Sequence, residues 1–174
     1  TLAPSTSTIF WITLQSFPGT PMIVEFARTR SDAYDPQRAN PSDAGLDVFY
    51  SPEQGKQVIA VEPGESKVIP TGLRFGVPHG YMLEVKNRSS VAAKRSLIVG
   101  ACVVDSGYDG VIFVNLHNIG KETQYVRGGD KIAQLVMIPV VNFRATQSTS
   151  GDLYRSPITI SDRGDGALGS TDAQ

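Results

Sequence analysis

Apolar residues in this chain come in short, β-branched runs, and glycine or proline interrupts each run before a helical face can build up. No segment sustains an apolar repeat of period 3.6, so the runs read as strands. They fall at 22–27, 46–50, 57–61, 66–70, 73–77, 81–86, 97–104, 111–116 and 131–141. Alternation is clearest in Tyr81-Met82-Leu83-Glu84-Val85-Lys86, where Tyr81, Leu83 and Val85 share one face. Seventeen glycines and eleven prolines supply the punctuation, as in Glu62-Pro63-Gly64-Glu65, Pro78-His79-Gly80 and Arg127-Gly128-Gly129-Asp130. Short strands with turns about every 8–12 residues predict an all-β sandwich or barrel, a jelly roll in particular. One short helix fits 90–93, with a serine cap.

The 174 residues suit one core-forming domain, and the ends differ from the middle. Residues 1–20 read as an N-terminal extension, 21–141 as the β-domain and 142–174 as a flexible C-terminal arm. Sixteen basic against seventeen acidic residues give a formal charge of −1, which argues against nucleic acid as a partner. The single cysteine, Cys102, excludes an intramolecular disulfide framework and a cysteine-rich zinc site. No apolar run approaches the ~18 residues that span a bilayer. The apolar segment 9–14 is too short for a signal peptide and has no basic flank. The chain is therefore expected to be intracellular, cytoplasmic or nuclear, and neither secreted nor membrane-bound.

Chemistry concentrates where a cation, hydroxyls, a carboxylate and an aromatic ring come close in sequence. Arg88-Ser89-Ser90 offers a planar fork of donors beside two hydroxyls, the makings of an anion cradle, or else a solvated loop with a helix cap. Asp105, after Val103-Val104 and before Ser106-Gly107, is placed to act as a general base or to bond its own turn. Tyr108 can stack on a flat ligand or simply pack. Asp47, after Asp43-Ala44-Gly45-Leu46, can orient water around a magnesium ion or stand as a strand residue. Gln134 puts an amide in an apolar run, where it needs a partner from the fold or from a ligand. The two histidines, His79 and His117, lack metal-ligand spacing, and no Walker-type glycine loop is present.

In order, these blocks resemble the five motifs of the trimeric dUTP pyrophosphatase (dUTPase) family. They are Asp43-Ala44-Gly45-Leu46-Asp47; Arg88-Ser89-Ser90-Val91-Ala92; the stretch 100–110 with Val104-Asp105 and Tyr108; Arg127-Gly128 through Ile132-Ala133-Gln134-Leu135-Val136; and Arg163-Gly164-Asp165-Gly166-Ala167-Leu168-Gly169-Ser170-Thr171. The resemblance implies a jelly-roll or β-clip-like barrel that forms homotrimers, with the C-terminal arm exchanged between subunits. It also implies hydrolysis of dUTP to dUMP and pyrophosphate with Mg2+, which keeps uracil out of DNA and supplies dUMP for dTMP synthesis. By similarity, Asp105 activates the water that attacks the α-phosphorus. Arg88, Ser89, Ser90 and Gln134, with Arg163, Ser170 and Thr171 from the arm, hold phosphates. Val99, Gly100, Cys102, Val103 and Val104 line the base, Tyr108 lies against the deoxyribose, Leu168 covers the base, and Asp47 meets magnesium through water.

The chain departs from that family's pattern at several positions. Leu168 stands where a stacking phenylalanine is usual, Ala167 and Cys102 replace glycines, Asp172 stands where a glycine often follows, and Asp109 replaces a basic or polar residue. Two rival readings carry their own discriminators. A dCTP deaminase-like enzyme requires a glutamate ten residues after Asp105, where this chain has Asn115. A non-catalytic nucleotide-binding jelly roll would bind without turnover.

Overall fold

The computed structural model describes residues 22–53, 55–151 and 153. Eleven strands and one helix are described: β1 (Phe26–Arg28), β2 (Leu46–Phe49), β3 (Val58–Val61), β4 (Ser66–Pro70), β5 (Leu73–Phe75), β6 (Tyr81–Lys86), α1 (Ser89–Arg95), β7 (Leu97–Val99), β8 (Val103–Val104), β9 (Phe113–Asn118), β10 (Gln124–Arg127) and β11 (Lys131–Pro139). One sheet runs β2-β11-β6-β8 and a second runs β4-β9-β7, with the pairs β1-β5 and β10-β3 beside them. Every named pairing is antiparallel. Chain contacts divide the molecule into Thr1–Val141 and Asn142–Gln174, and all these elements belong to the first unit.

The period-two pattern does the sorting. Along β9, Val114 and Leu116 are buried while Phe113 stays exposed; along β6, Leu83 and Val85 turn inward. These residues join Ile69, Leu97, Val48 and Leu135 in one apolar cluster fed by both larger sheets. Buried polar groups are answered within it. Asn118 donates to the carbonyls of Val61 and Glu122, both at 2.8 Å, and Thr71 donates to Ile112 O at 2.7 Å. Tyr50 is nearly fully buried and donates its hydroxyl to Lys56 O, and burial, with Glu53 nearby, raises its pKa above the ordinary value.

Four differences from the sequence-based expectation have physical causes. The helix is longer than 90–93 and its N-cap is Arg88, extended at φ −89° and ψ 131° with no side-chain cap bond, so the serines lie inside the first turn. The run 97–104 is two strands in different sheets, because Gly100 passes against β9: a Cβ there would sit 2.3 Å from both Asn115 Oδ1 and His117 Nε2. The strand expected at 111–116 begins at Phe113, since Ile112 is held outside the ladder by its N–H to Leu73 O at 2.8 Å. β10 has no counterpart in the expectation, because in Gln-Tyr-Val-Arg only Val126 is buried.

Leu116 is fully buried at the centre of β9. Leu116→Ala is expected to lower unfolding stability by about 2–5 kcal/mol, read as a fall in urea midpoint at constant m value and fixed protein concentration.

Candidate functional site

Two clefts gather the sequence-selected residues, and both lie in the β-domain. The first, of about 330 Å³, is lined by Asp43, Gly45, Asp47, Arg88, Ser89, Ser90 and Gln134 together with Ala39 and Ala44. Strand register builds it. Gln134 on β11 pairs with Asp47 on β2 and with Lys86 on β6, so three neighbouring strands bring these positions level. The chain then runs from Lys86 through Asn87 and Arg88 into α1, which brings both serines to the same spot.

Asp47 organises this cleft. It is only 8% exposed, and its carboxylate accepts from Arg88 Nε at 2.7 Å on one oxygen and from Lys131 Nζ at 3.0 Å on the other. A buried carboxylate between two cations is compensated, and holding Arg88 by Nε leaves its two terminal nitrogens for a ligand. Gln134 is fixed as firmly: its Nε2 donates to Asn87 O at 2.8 Å, and a Cβ on Gly45 would lie 1.8 Å from its Oε1. The cleft therefore presents a guanidinium, two hydroxyls and an amide over a paired carboxylate, a donor set suited to phosphate.

The second cleft, of about 200 Å³, is lined by Val103, Val104, Asp105, Tyr108, Val111, Ile112 and Phe113. Asp105 follows β8 directly, and its carbonyl accepts from Tyr108 N at 3.2 Å across a turn that Gly107 permits with φ +86°. Ser106 Oγ donates to Val77 O at 3.1 Å and anchors the turn. The Tyr108 hydroxyl donates to Val111 O at 3.0 Å, and its ring lies over Gly110, where a Cβ would be 2.3 Å from the hydroxyl oxygen. Asp109 pairs with Arg74 at 2.9 Å, an exposed contact that ties the turn to β5.

β8 is the outer strand of its sheet. Val85 N donates to Cys102 O at 2.7 Å and Leu83 pairs with Val104, so the backbone groups of Val103 between them point away from β6 along an open edge. Upstream, the Val99 N–H goes to Asn87 Oδ1 at 2.6 Å and the Gly100 N–H to Asn115 O at 2.9 Å. Within 99–104, Val103 thus offers the outward backbone pair.

The dUTPase family model matches residues 31–171. The chain belongs to the dUTPase family. The deoxyuridine 5'-triphosphate nucleotidohydrolase of Chlamydia muridarum is 36% identical over 150 residues, covering 84% of this chain and 96% of that protein. That of Gloeobacter violaceus is 36% identical over 138 residues, covering 78% and 87%. Among solved structures, a variant of the Staphylococcus bacteriophage 80alpha dUTPase with dUpNHpp shares the fold, with a TM-score of 0.72 at 23% identity over 86% of this chain and 98% of that one. A variant dUTPase from phage phi11 of S. aureus, described as revealing the coordination of a structural Mg(II) ion, has a TM-score of 0.66 at 25% identity over 74% and 97%. The jelly-roll type of these dUTPases is the fold of this chain.

Asp47, Arg88, Ser89, Ser90 and Gln134 line the first cleft and Val103, Val104, Asp105 and Tyr108 the second, whereas Val99, Gly100 and Cys102 line neither. Arg163, Leu168, Ser170 and Thr171 lie outside the described residues. Sequence reasoning missed Lys131 and Asn87. Lys131 had a signal, a cation opening the strand that carries Gln134; Asn87 had only its place between a strand end and Arg88. Among the described residues no helix is long and apolar enough to cross a membrane.

Gly45→Ala is expected to push the Gln134 amide aside, since the new Cβ would lie 1.8 Å from Oε1 and 2.6 Å from Cδ and would crowd Gln134 Cβ at 3.0 Å. Binding of dUpNHpp, titrated calorimetrically, should weaken about tenfold or more, as loss of a hydrogen bond to a charged group predicts.

Proposed function

We propose that this protein hydrolyses dUTP to dUMP and pyrophosphate at sites shared between copies of the chain, in a homotrimer. The observation that carries the shared site is the separation of the two clefts. Val104 pairs with Leu83, so Asp105 lies level with residue 82, whereas Arg88 lies six extended residues further along β6 and its continuation. At ~3.3 Å per residue that is about 20 Å. A nucleotide's α-phosphate is joined directly to its sugar, so Arg88 of the same chain is poorly placed to hold the phosphate that water at Asp105 must attack. A second copy closes the gap by setting its phosphate cleft against this chain's nucleoside cleft. Phe143 and Leu153 expose apolar side chains, as an arm that docks on another copy requires.

In such a site the base pairs with the open edge at Val103, with Val99, Gly100, Cys102 and Val104 framing it. Fixed backbone donors and acceptors reject cytosine's amino group by leaving groups unpaired. Tyr108 lies against the deoxyribose and excludes a 2′-hydroxyl. Arg88, Ser89, Ser90 and Gln134 of the adjoining copy hold the triphosphate, and Arg163, Ser170 and Thr171 close over it, with Leu168 on the base. Asp105 accepts a proton from water as its oxygen bonds to the α-phosphorus, and the bond to the bridging oxygen breaks to release pyrophosphate. The arginines offset charge on the transferring group.

The donor set fits magnesium brought in on the triphosphate. Among the described residues no three histidine, cysteine or acidic side chains converge to hold an ion. Each Asp47 oxygen already binds one cation and retains a lone pair, which suits contact through a magnesium-bound water. The ion supplies Lewis-acid neutralisation of phosphate charge when bound. Asn115, at the position where a deaminase requires its glutamate, is an amide engaged with His117 at 2.8 Å, which disfavours deamination.

Two measurements check this reading. Asp105→Asn should reduce pyrophosphate release from dUTP at saturating magnesium by about a hundredfold to ten-thousandfold while dUpNHpp still binds. Co-refolding Asp105→Asn chains with Arg88→Ala chains, each inactive alone, should restore activity at roughly a quarter of the sites, because each site draws the two residues from different copies. No recovery would show that one chain supplies both.

A further inference from the structure

Main-chain recognition of a base demands that the reading segment be held to within about 0.5 Å. Here that segment begins where the chain crosses between sheets, since residues 100–102 lie between β7 and β8 and belong to neither ladder. Two asparagines hold the start of this crossing, and the Val85 N–H to Cys102 O bond holds its end against β6. On the β9 flank, Asn115 O accepts from Gly100 N, and Asn115 Oδ1 lies 3.4 Å from Ala101 N and 2.8 Å from His117 Nε2. On the opposite flank, Asn87 Oδ1 accepts from Val99 N at 2.6 Å.

Asn87 occupies a particular junction. It sits between the last residue of β6 and Arg88, and its main-chain oxygen accepts from Gln134 Nε2. One residue thus touches both the start of the base-reading crossing and the amide assigned to phosphate. Its two bonds are separable, because the side chain serves Val99 and the main chain serves Gln134. Val99 pairs with Leu116 on β9, so Asn87 supplies the tie toward the other sheet.

We propose that Asn87 is a positioning residue for base selection: its side-chain carbonyl fixes the Val99 end of the crossing and so sets where the Val103 edge meets the pyrimidine. The proposal rests on the assignment of 99–104 to the base. Asn87 is exposed, and its side-chain bond to Val99 N is the contact that a substitution removes. Replacing it leaves the Gln134 bond in place, and the consequence falls on selectivity rather than on phosphate binding.

The test compares kcat/KM for dUTP and for dCTP in the full-length wild type, Asn87→Ala and Asn87→Asp. Asn87→Ala should reduce the preference for dUTP by about tenfold, the scale of one hydrogen bond's free energy. Asn87→Asp retains an acceptor oxygen and should restore the preference, even where its charge beside Arg88 weakens both triphosphates alike. An unchanged preference in Asn87→Ala, an equal fall for both nucleotides, or no recovery in Asn87→Asp would each overturn the proposal. A wild-type protein that releases no pyrophosphate from dUTP would overturn the proposed reaction itself, whatever the Asn87 variants do.

Discussion

Strand β6 sets the scale of this molecule. It is hydrogen-bonded to β11 on one side and to β8 on the other, and it can neither stretch nor slip. A slip of one residue would turn Leu83 and Val85 out of the core and bring polar neighbours in. The register also fixes what hangs from each end: the turn carrying Asp105 at one, Arg88 and the helix start at the other. The spacing between a nucleoside cleft and a phosphate cleft is therefore a property of the core. On the proposed reading, a chain built this way is half of two sites rather than the whole of one.

The phosphate cleft shows how polarity is assembled before any ligand arrives. Asp47, nearly buried, draws Arg88 and Lys131 inward from two different elements, and the cost of desolvating its charge is offset by both. The geometry orients the guanidinium in advance, so little rearrangement remains when an anion binds. Gly45 contributes by absence, since the space a side chain would fill is taken by Gln134.

Much of the fold was legible because burial follows a period of two. The runs around Leu46, Ile69, Leu83 and Leu135 each became a strand, and in 81–86 Leu83 and Val85 of the expected face are buried. Legibility failed where tertiary contact overrode local pattern. Val99 and Val103 look like one continuous strand, yet the close approach of β9 to Gly100 divides them between sheets. The serines after Arg88 look like caps, yet the cap is Arg88 itself, because the chain arrives extended from β6. The site divides the same way. Arg88, Asp105 and Tyr108 announce themselves by residue type in an ordered set of motifs. Asn87 and Lys131 matter through what lies across from them, which no single stretch of sequence displays.

The brevity of β8 has a consequence of another kind. An outer strand with unpaired backbone groups invites any extended segment to add to the sheet, and long exposed edges are where proteins aggregate. β8 is two residues long, and the chain leaves it immediately for the turn at Ser106-Gly107. Such an edge offers a partner the room of one short ladder step, enough for the rim of a flat heterocycle and too little for another strand to gain a foothold. On the proposed reading, an edge left open among the described residues admits a small molecule while denying a foothold to polypeptide.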